Sequence, residues 1–594
     1  MENCFEIRLN NLRALMKTHG LDGFIVPHGD EFQNEFVPES HQRLKYMTGF
    51  TGSAGFAVIL QDKAVVMSDG RYTIQLKQQV DQNLYELNDS TKITASKWIC
   101  ENASPSAMIG FDPMLHSKQF IDIALKDFEE KNITLKPIQK NLIDNIWNDR
   151  PPMRWGRIEQ FPLQYAGISH HDKIKKISEI IKTQNCDAVL LSLPDSVSWC
   201  LNLRANDVPH NPILLARLII FANGTAILLI EKERVSNDLS DYLGANISIK
   251  DPQDFDKILG QTVKKIWIDP LRSPIHFLQA AYDAGIDIYE QKDPTIILKA
   301  QKNLHEQNAM KSAHVRDGVA IVKFLYWLEQ HKSDSDLSEL FIADKLEQFR
   351  KASPLYKDSS FDTICGWNEN GAIIHYRATP ESHAQIPANA NGILLLDSGA
   401  QYEDGTTDIT RTISFGAIDP TVRTHNTLVL KGMIAISKAK FPYGTMGAQI
   451  DVLARMALWD HGLDYAHGTG HGVGCYLSVH EEATSLSPRG HDKMEVGMIV
   501  SNEPGYYKEG SHGIRIENLI LCVDTGDKDE LDRAILSFDT LTLVPIDQRL
   551  IDKNLLDDHE IEWINQYHIR ILKEIGPSLT PDEFTWLQGA CKAL

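Results

Sequence analysis

Hydrophobic and polar positions along the chain form two similar blocks followed by a longer stretch of different texture. Residues 5–19 carry apolar side chains at helical spacing and run into Gly20, a residue suited to closing a helix. Short apolar runs at 23–26, 55–60 and 64–67 predict strands, the last two joined as a hairpin across Gln61-Asp62-Lys63. The pattern breaks at Asn148-Asp149-Arg150-Pro151-Pro152, where two prolines predict a linker. A second block then begins near His171. Residues 173–182 are periodic, 188–191 are apolar and 195–199 read as a polar segment. Residues 212–230 fold back at Asn223-Gly224 as another apolar hairpin. Helix, strand, polar segment and hairpin recur in one order, the mark of a divergent duplication.

From about residue 295 the period changes. Helices are predicted over 303–330, 336–349, roughly 420–440, 447–461 and within 560–594. Extended runs fall at 361–365, 392–397, 409–415, 498–501, 513–522 and 541–544. Strands and helices interleaved without a regular βαβ repeat give an α+β (mixed) class, with two related smaller α/β domains ahead of a third. The expected boundaries are 1–153, 154–300 and 301–594.

Composition narrows the options. A chain of 594 residues exceeds one hydrophobic core, and 42% hydrophobic with 24% charged residues is ordinary for globular domains. Sixty basic against 80 acidic residues leave a net charge of −20, which repels phosphate backbones and anionic lipid. No nucleic acid and no membrane are therefore expected as partners. The apolar stretch at 212–230 is interrupted by Arg217 and Asn223-Gly224, so it reads as strands rather than a membrane span. Eight scattered cysteines include no C-x-x-C pair and suit a reducing compartment. The first residues show no basic patch leading into an apolar run, so the expected location is cytoplasmic.

Candidate chemistry gathers in residues 397–517. Asp397 ends an apolar strand, and Asp408 follows the turn Asp404-Gly405, so both carboxylates could lie on neighbouring antiparallel strands. The plainer alternative is a turn-capping Asp and an Asp paired with Arg411. His467 and His471 stand in HGTGHGVG, too rich in glycine for a helix, and His480 follows nine residues later. Glu503 terminates a further strand. Arg515 and Glu517 share one face of GIRIEN by period-2 alternation, where an exposed charge pair is the competing explanation. Asp397, Asp408, His471, Glu503 and Glu517 together make an oxygen-rich donor set with one imidazole, suited to hard or borderline divalent ions. Four carboxylates cannot all stay ionised in one pocket without cations, and two divalent ions would balance them. Such a pair can acidify a shared water and steady an oxyanion at a carbonyl, which points to a hydrolase.

The strings LLLDSGAQYEDGTTDITRT, HGTGHGVG, SNEPGYY and GIRIEN, in this order, resemble those of the Xaa-Pro aminopeptidases (aminopeptidase P), of the pita-bread metallopeptidase group. The likeness spans the chain and is closest to the three-domain cytosolic type. It implies a creatinase/prolidase-like first domain, a related second domain and a C-terminal pita-bread catalytic domain with a helical extension. It also implies two divalent metal ions per subunit, Mn2+ ahead of Co2+ or Zn2+. Asp397, Asp408, His471, Glu503 and Glu517 would be the ligands. His375, in NENGAIIHYR, and His480 would handle protons alongside Glu503. His467 and Arg515 would border the bound peptide, and Arg71, in SDGRY, would reach a neighbouring active site in a homodimer. The implied activity is hydrolysis of the N-terminal Xaa-Pro bond of peptides by a dinuclear-metal-activated water, with peptides bearing proline at position two as partners. Prolidase, acting on Xaa-Pro dipeptides, and a non-catalytic peptide-binding protein on the same fold are the alternatives.

Overall fold

A computed structural model describes residues 4–594, the side chains of 260–262 excepted. The chain forms two compact units. One comprises residues up to 161 together with 168–296, and the other comprises 162–167 together with 297–594.

The first unit holds two six-stranded sheets of one topology. In the first, helix Cys4–Thr18 turns at Gly20 (φ +65°) into strand Gly23–Pro27, whose residues are all buried. That strand pairs antiparallel with Phe56–Leu60, which hairpins into Ala64–Ser68, and parallel with Met108–Phe111. Glu86–Asp89 and Thr134–Pro137 complete the two edges in parallel. The second sheet repeats this arrangement around Ala188–Leu191. Arg217–Phe221, Ala226–Leu229 and Ile247–Lys250 lie on one side, with Lys265–Ile268 and Asp287–Glu290 on the other. Every pairing has the same direction as its counterpart. The shared order is what the repeated sequence pattern predicts.

The polar segment 195–199 is part of helix Pro194–Leu201. Ser196 and Ser198 are fully buried, and Ser198 Oγ accepts the N–H of Leu214 at 2.8 Å. Buried serines on this helix hide the apolar periodicity that marks most helices.

The second unit opens with helix Leu304–His331, capped by Asn303 and Glu306 in a reciprocal box, and helix Glu339–Lys351, capped by Ser338. An antiparallel sheet of Ile364–Trp367, Gly392–Ser398 and Ile409–Phe415 packs its apolar side chains against these helices. A six-stranded sheet runs in the order Lys440–Pro442, Ala534–Thr540, Asn518–Lys528, Ile499–Asn502, Gly470–Gly472 and Glu481–Leu486. Helices Pro420–Ser437, Gly447–Trp459, Asp558–Ile575 and Pro581–Ala590 share a further core with Ile393, Ile514 and Ile516.

Two strand expectations change here. The run 513–522 is two strands in two sheets. His512–Arg515 pairs with Gly505–Lys508, while Asn518–Lys528 pairs with Ile499–Asn502. Residues 541–544 lie outside any strand, and the strand precedes them at Ala534–Thr540. The carbonyls of Thr542 and Val544 accept from the Tyr567 hydroxyl, and Val544 O also from Arg411, so side chains take the place of a neighbouring strand.

Candidate metal centre

The strands Gly392–Ser398 and Ile409–Phe415 pair antiparallel with Asp397 opposite Thr410, and Asp408 immediately precedes the second. Between them the chain reverses at Asp404-Gly405, as its turn residues predict, with Asp404 held bidentately by Arg316 at 2.8 Å. His471 lies in Gly470–Gly472. A Cβ on Gly470 would fall 1.9 Å from Ser501 O, so only glycine lets this strand approach the one that leads to Glu503. His471 N donates to Ser501 Oγ (2.9 Å), and its Nδ1–H is spent on Gly472 O (2.9 Å). Nε2 is left facing Asp408 Oδ2 at 3.4 Å and Glu503 Oε1 at 3.6 Å. Ligand atoms of Asp408, His471 and Glu517 lie within 4.8 Å of one another. Glu517 Oε2 accepts from Thr410 Oγ1 at 2.8 Å.

The electrostatics of this cluster ask for cations. Burial, then the neighbouring carboxylates of Asp408, Glu503 and Asp397, push Glu517 well above the ordinary carboxylate range. Burial raises Glu503 to about 7 despite the attraction of His471. Burial alone would depress His471, but Asp408 and Glu503 outweigh it and raise the imidazole to about 9. Asp397 is also raised by burial, and its Oδ1 is buried without a hydrogen-bond partner. Four carboxylates are met by one guanidinium and one imidazole, so the donor set fits divalent ions bound among Asp397, Asp408, His471, Glu503 and Glu517.

Arg515 is 2% exposed and is the fixed cation of the cluster. Its Nη2 donates to Asp397 Oδ2 (2.5 Å), its Nε to Thr410 Oγ1 (3.1 Å) and its Nη1 to the Tyr507 hydroxyl (2.7 Å). His467 Nδ1–H donates to Gly468 O (2.7 Å), so Nε2 accepts the Tyr507 O–H at 2.8 Å. A continuous chain of hydrogen bonds therefore runs from Asp397 through Arg515 and Tyr507 to His467. His480 is exposed, its ring centroid 4.3 Å from that of His471 and nearly perpendicular to it. His375 is half-buried in a turn whose preceding carbonyl, Ile374 O, accepts from Arg515 Nη1 at 3.4 Å. Arg71 belongs to the first unit, where Asp69 holds it bidentately at 2.7 and 2.9 Å. Arg411 does not pair with Asp408. It points to the reverse of its strand and donates to the carbonyls of Thr410, Glu517, Val544 and Pro545, to Asn518 Oδ1 and to Tyr567 Oη.

Comparison with known proteins places this geometry. Residues 308–524 match the model of metallopeptidase family M24, and 534–594 match the C-terminal region of peptidase M24. Residues 8–145 and 149–306 each match a creatinase/prolidase N-terminal domain. Aminopeptidase P2 of Arabidopsis thaliana is 37% identical over 98% of this chain and 87% of its own length. The chain belongs to the aminopeptidase P family. A protein of Paracoccidioides brasiliensis named "Probable Xaa-Pro aminopeptidase P" is 36% identical over 98% of both chains. The crystal structure of X-prolyl aminopeptidase from Caenorhabditis elegans, described as a cytosolic enzyme with a di-nuclear active site, superposes with a TM-score of 0.93. It is 32% identical, covering 99% of this chain and 100% of that one. The prolidase of Thermococcus sibiricus, 22% identical with a TM-score of 0.51 over 64% of this chain, shares the fold. Two creatinase-type domains thus precede the pita-bread domain of an aminopeptidase P family member, the α+β architecture expected from the sequence.

Sequence reasoning missed Tyr507, Thr410 and Ser501, the polar residues that orient the acidic cluster. Ser501 and Tyr507 stand at the two ends of the SNEPGYY string, and antiparallel pairing puts Thr410 opposite Asp397.

Proposed function

We propose that this protein is a metal-dependent aminopeptidase that removes the first residue from peptides with proline at position two. The observation that carries this reading is the buried acidic cluster around Asp408, His471 and Glu517, with the orphaned Asp397 Oδ1 beside it. Two divalent ions held there, Mn2+ being our choice over Co2+ or Zn2+, would acidify a water and polarise the scissile carbonyl. Glu503 takes the proton of the attacking water. His375 and His480 stabilise the developing charge and return a proton to the leaving nitrogen. An Xaa-Pro bond is a tertiary amide without an N–H, and its ring blocks the extended binding used by most peptidases, so its nitrogen must be protonated to depart. Arg515 holds Asp397 in register, and His467 borders the second residue of the peptide. The substrate's free amino group is drawn to the acidic cluster, which favours cleavage of a single residue.

Further elements of the proposal are domains at 1–153, 154–300 and 301–594, a cytoplasmic location and a homodimer in which Arg71 serves the neighbouring subunit. Among the described residues no helix is long and apolar enough to cross a membrane. Helix Gly447–Trp459 exposes Val452, Met456 and Trp459 on one face, by 39, 53 and 47%, an apolar stripe suited to a second copy.

The test uses metal-stripped protein with Mn2+ added back, assayed by mass spectrometry on three peptides. They are an Arg-Pro-Pro oligopeptide, its variant with Ala at position two, and an Xaa-Pro dipeptide. Loss of one residue from the first alone, and only with metal, is the expected result. Cleavage confined to the dipeptide would make the protein a prolidase. Silence on all three with metal bound would overturn the proposed activity.

A further inference from the structure

Glu339 opens helix Glu339–Lys351 and is wholly buried, yet no basic side chain is among its hydrogen-bond partners. Its carboxylate accepts four hydrogen bonds. Oε1 takes Trp367 N at 2.6 Å and Asn370 Nδ2 at 2.9 Å, and Oε2 takes the Tyr376 hydroxyl at 2.8 Å and Ala384 N at 2.7 Å. Glu339 N in turn donates to Ala384 O. These partners frame a single segment. Trp367 and Ala384 stand at its two ends, and Asn370 and Tyr376 stand on either side of His375. The turn bearing His375 is closed by Tyr376 N donating to Ile373 O at 3.0 Å, and Asn370 Nδ2 also donates to Tyr376 Oη at 3.0 Å.

The same segment meets the acidic cluster from its other side. Ile374 O accepts from Arg515, and a Cβ on Gly371 would sit 3.4 Å from Gly513 N, in the strand that ends at Arg515. Glu339 thus grips the segment from behind while Arg515 touches its front. A fully buried carboxylate saturated by four donors is a stiff anchor, because every alternative position of the segment leaves it short of partners in a low dielectric.

We infer that Glu339 is a positioning residue for His375: by binding both flanks of the turn, it fixes the imidazole at the distance and angle that proton transfer needs. This rests on the proton-handling role proposed above for His375. A carboxamide in its place cannot substitute, because all four partners are donors and the amide NH2 would be forced against at least one of them.

The experiment compares wild type, Glu339→Gln, His375→Ala and the double variant in the metal-loaded enzyme, reading kcat, KM, metal content and melting temperature. The expected result is a fall in kcat of about tenfold or more for Glu339→Gln, with KM within twofold and full metal content. In the His375→Ala background the same substitution should change kcat by less than about twofold, because its route of action is gone. An equal drop in both backgrounds would overturn the inference, since a general structural role gives that result, and so would unchanged kcat in the single variant. Wild-type activity in His375→Ala would instead remove the proton-handling role and the inference with it. If Glu339→Gln does not fold, Tyr376→Phe removes one of the four donors and answers the same question. It should lower kcat by a few fold only where His375 is present, and a drop of equal size without His375 refutes the inference.

Discussion

Substituting Gly513 by alanine isolates the contact that keeps the Arg515 strand against the His375 segment. A Cβ at this position would lie 1.6 Å from Gly371 O, 2.1 Å from Gly371 C and 2.8 Å from Ala372 N, all backbone atoms that no rotamer change can remove. Ordinary contact begins near 3.4 Å, so strand and turn must separate by about 1.8 Å. Arg515 is two residues along the strand, and its bonds to Asp397 at 2.5 Å and Tyr507 at 2.7 Å do not survive such a shift. Two hydrogen bonds to charged groups contribute about 1.5–3 kcal/mol each. A displacement of about 1 Å in a catalytic array costs roughly a hundredfold in rate. The expected outcome is a kcat at least a hundredfold lower on an Xaa-Pro oligopeptide, with helical content by circular dichroism unchanged. Gly510→Ala is the control. Gly510 has φ +68° with nothing within 4 Å of a Cβ, so alanine there adds about 1–2 kcal/mol of backbone strain but no collision. Full activity in Gly513→Ala would refute the steric reasoning, and an equal loss in Gly510→Ala would show hairpin strain to be the cause.

Three more outcomes follow from the charges. In chelated protein Glu503 has a folded pKa of about 7, above its unfolded value near 4.5, so its contribution is fully present below pH 4.5 and is lost as pH rises through 7. Metal-free protein should be less stable at pH 8 than at pH 6 by roughly 1 kcal/mol on this account, a difference that added Mn2+ abolishes; equal melting at both pH values would contradict this. His568 is fully buried, accepts Ile546 N–H at 3.2 Å and is depressed to about 4, chiefly by burial and then by Arg411. Its contribution is present above the unfolded pKa near 6.5 and is lost as pH falls toward 4, so His568→Gln should make unfolding less acid-sensitive in that window, read by fluorescence against pH. Glu481, adjoining His480, faces Lys302 and, at 3.5 Å, Lys299, all buried. Glu481→Gln should cost about 3–5 kcal/mol by removing the carboxylate that Lys302 faces, and Lys302→Met should restore part of it in a denaturant melt. No recovery in the double variant would mean that charge is not the cause.

Much of the fold was legible because local rules and packing agree. Gly20, Asn303 and Ser338 sit where helix-capping rules put them, and the Asp404-Gly405 turn brings Asp397 and Asp408 onto paired strands. The motif strings in turn identified the family. Legibility failed where satisfaction comes from distant residues. The run 513–522 alternates like one strand, but Thr410 O takes the N–H of Glu517 and Thr412 Oγ1 that of Arg515, and these bonds bend the chain out of one sheet and into the other. Tyr507 closes the SNEPGYY string, but its task is not readable there, because its partners Arg515 and His467 are 8 and 40 residues away. Glu339 reads locally as an ordinary acid in a first helical turn, while the four donors that define it come 28 to 45 residues later.

Arg411 has a consequence for biosynthesis. Its guanidinium joins the backbone of Glu517 to Val544, Pro545 and the Tyr567 hydroxyl, so the acidic cluster leans on residues made long after Asp397. At a translation rate of about 5–20 residues per second, roughly 10–30 s separate the synthesis of Asp397 from that of Tyr567. The carboxylates of the cluster accumulate through that interval without the scaffold that spaces them. The cluster therefore gains its spacing late in the life of each molecule, and a ribosome stalled within residues 518–543 would hold a chain already bearing its four carboxylates but lacking Val544, Pro545 and Tyr567 behind them.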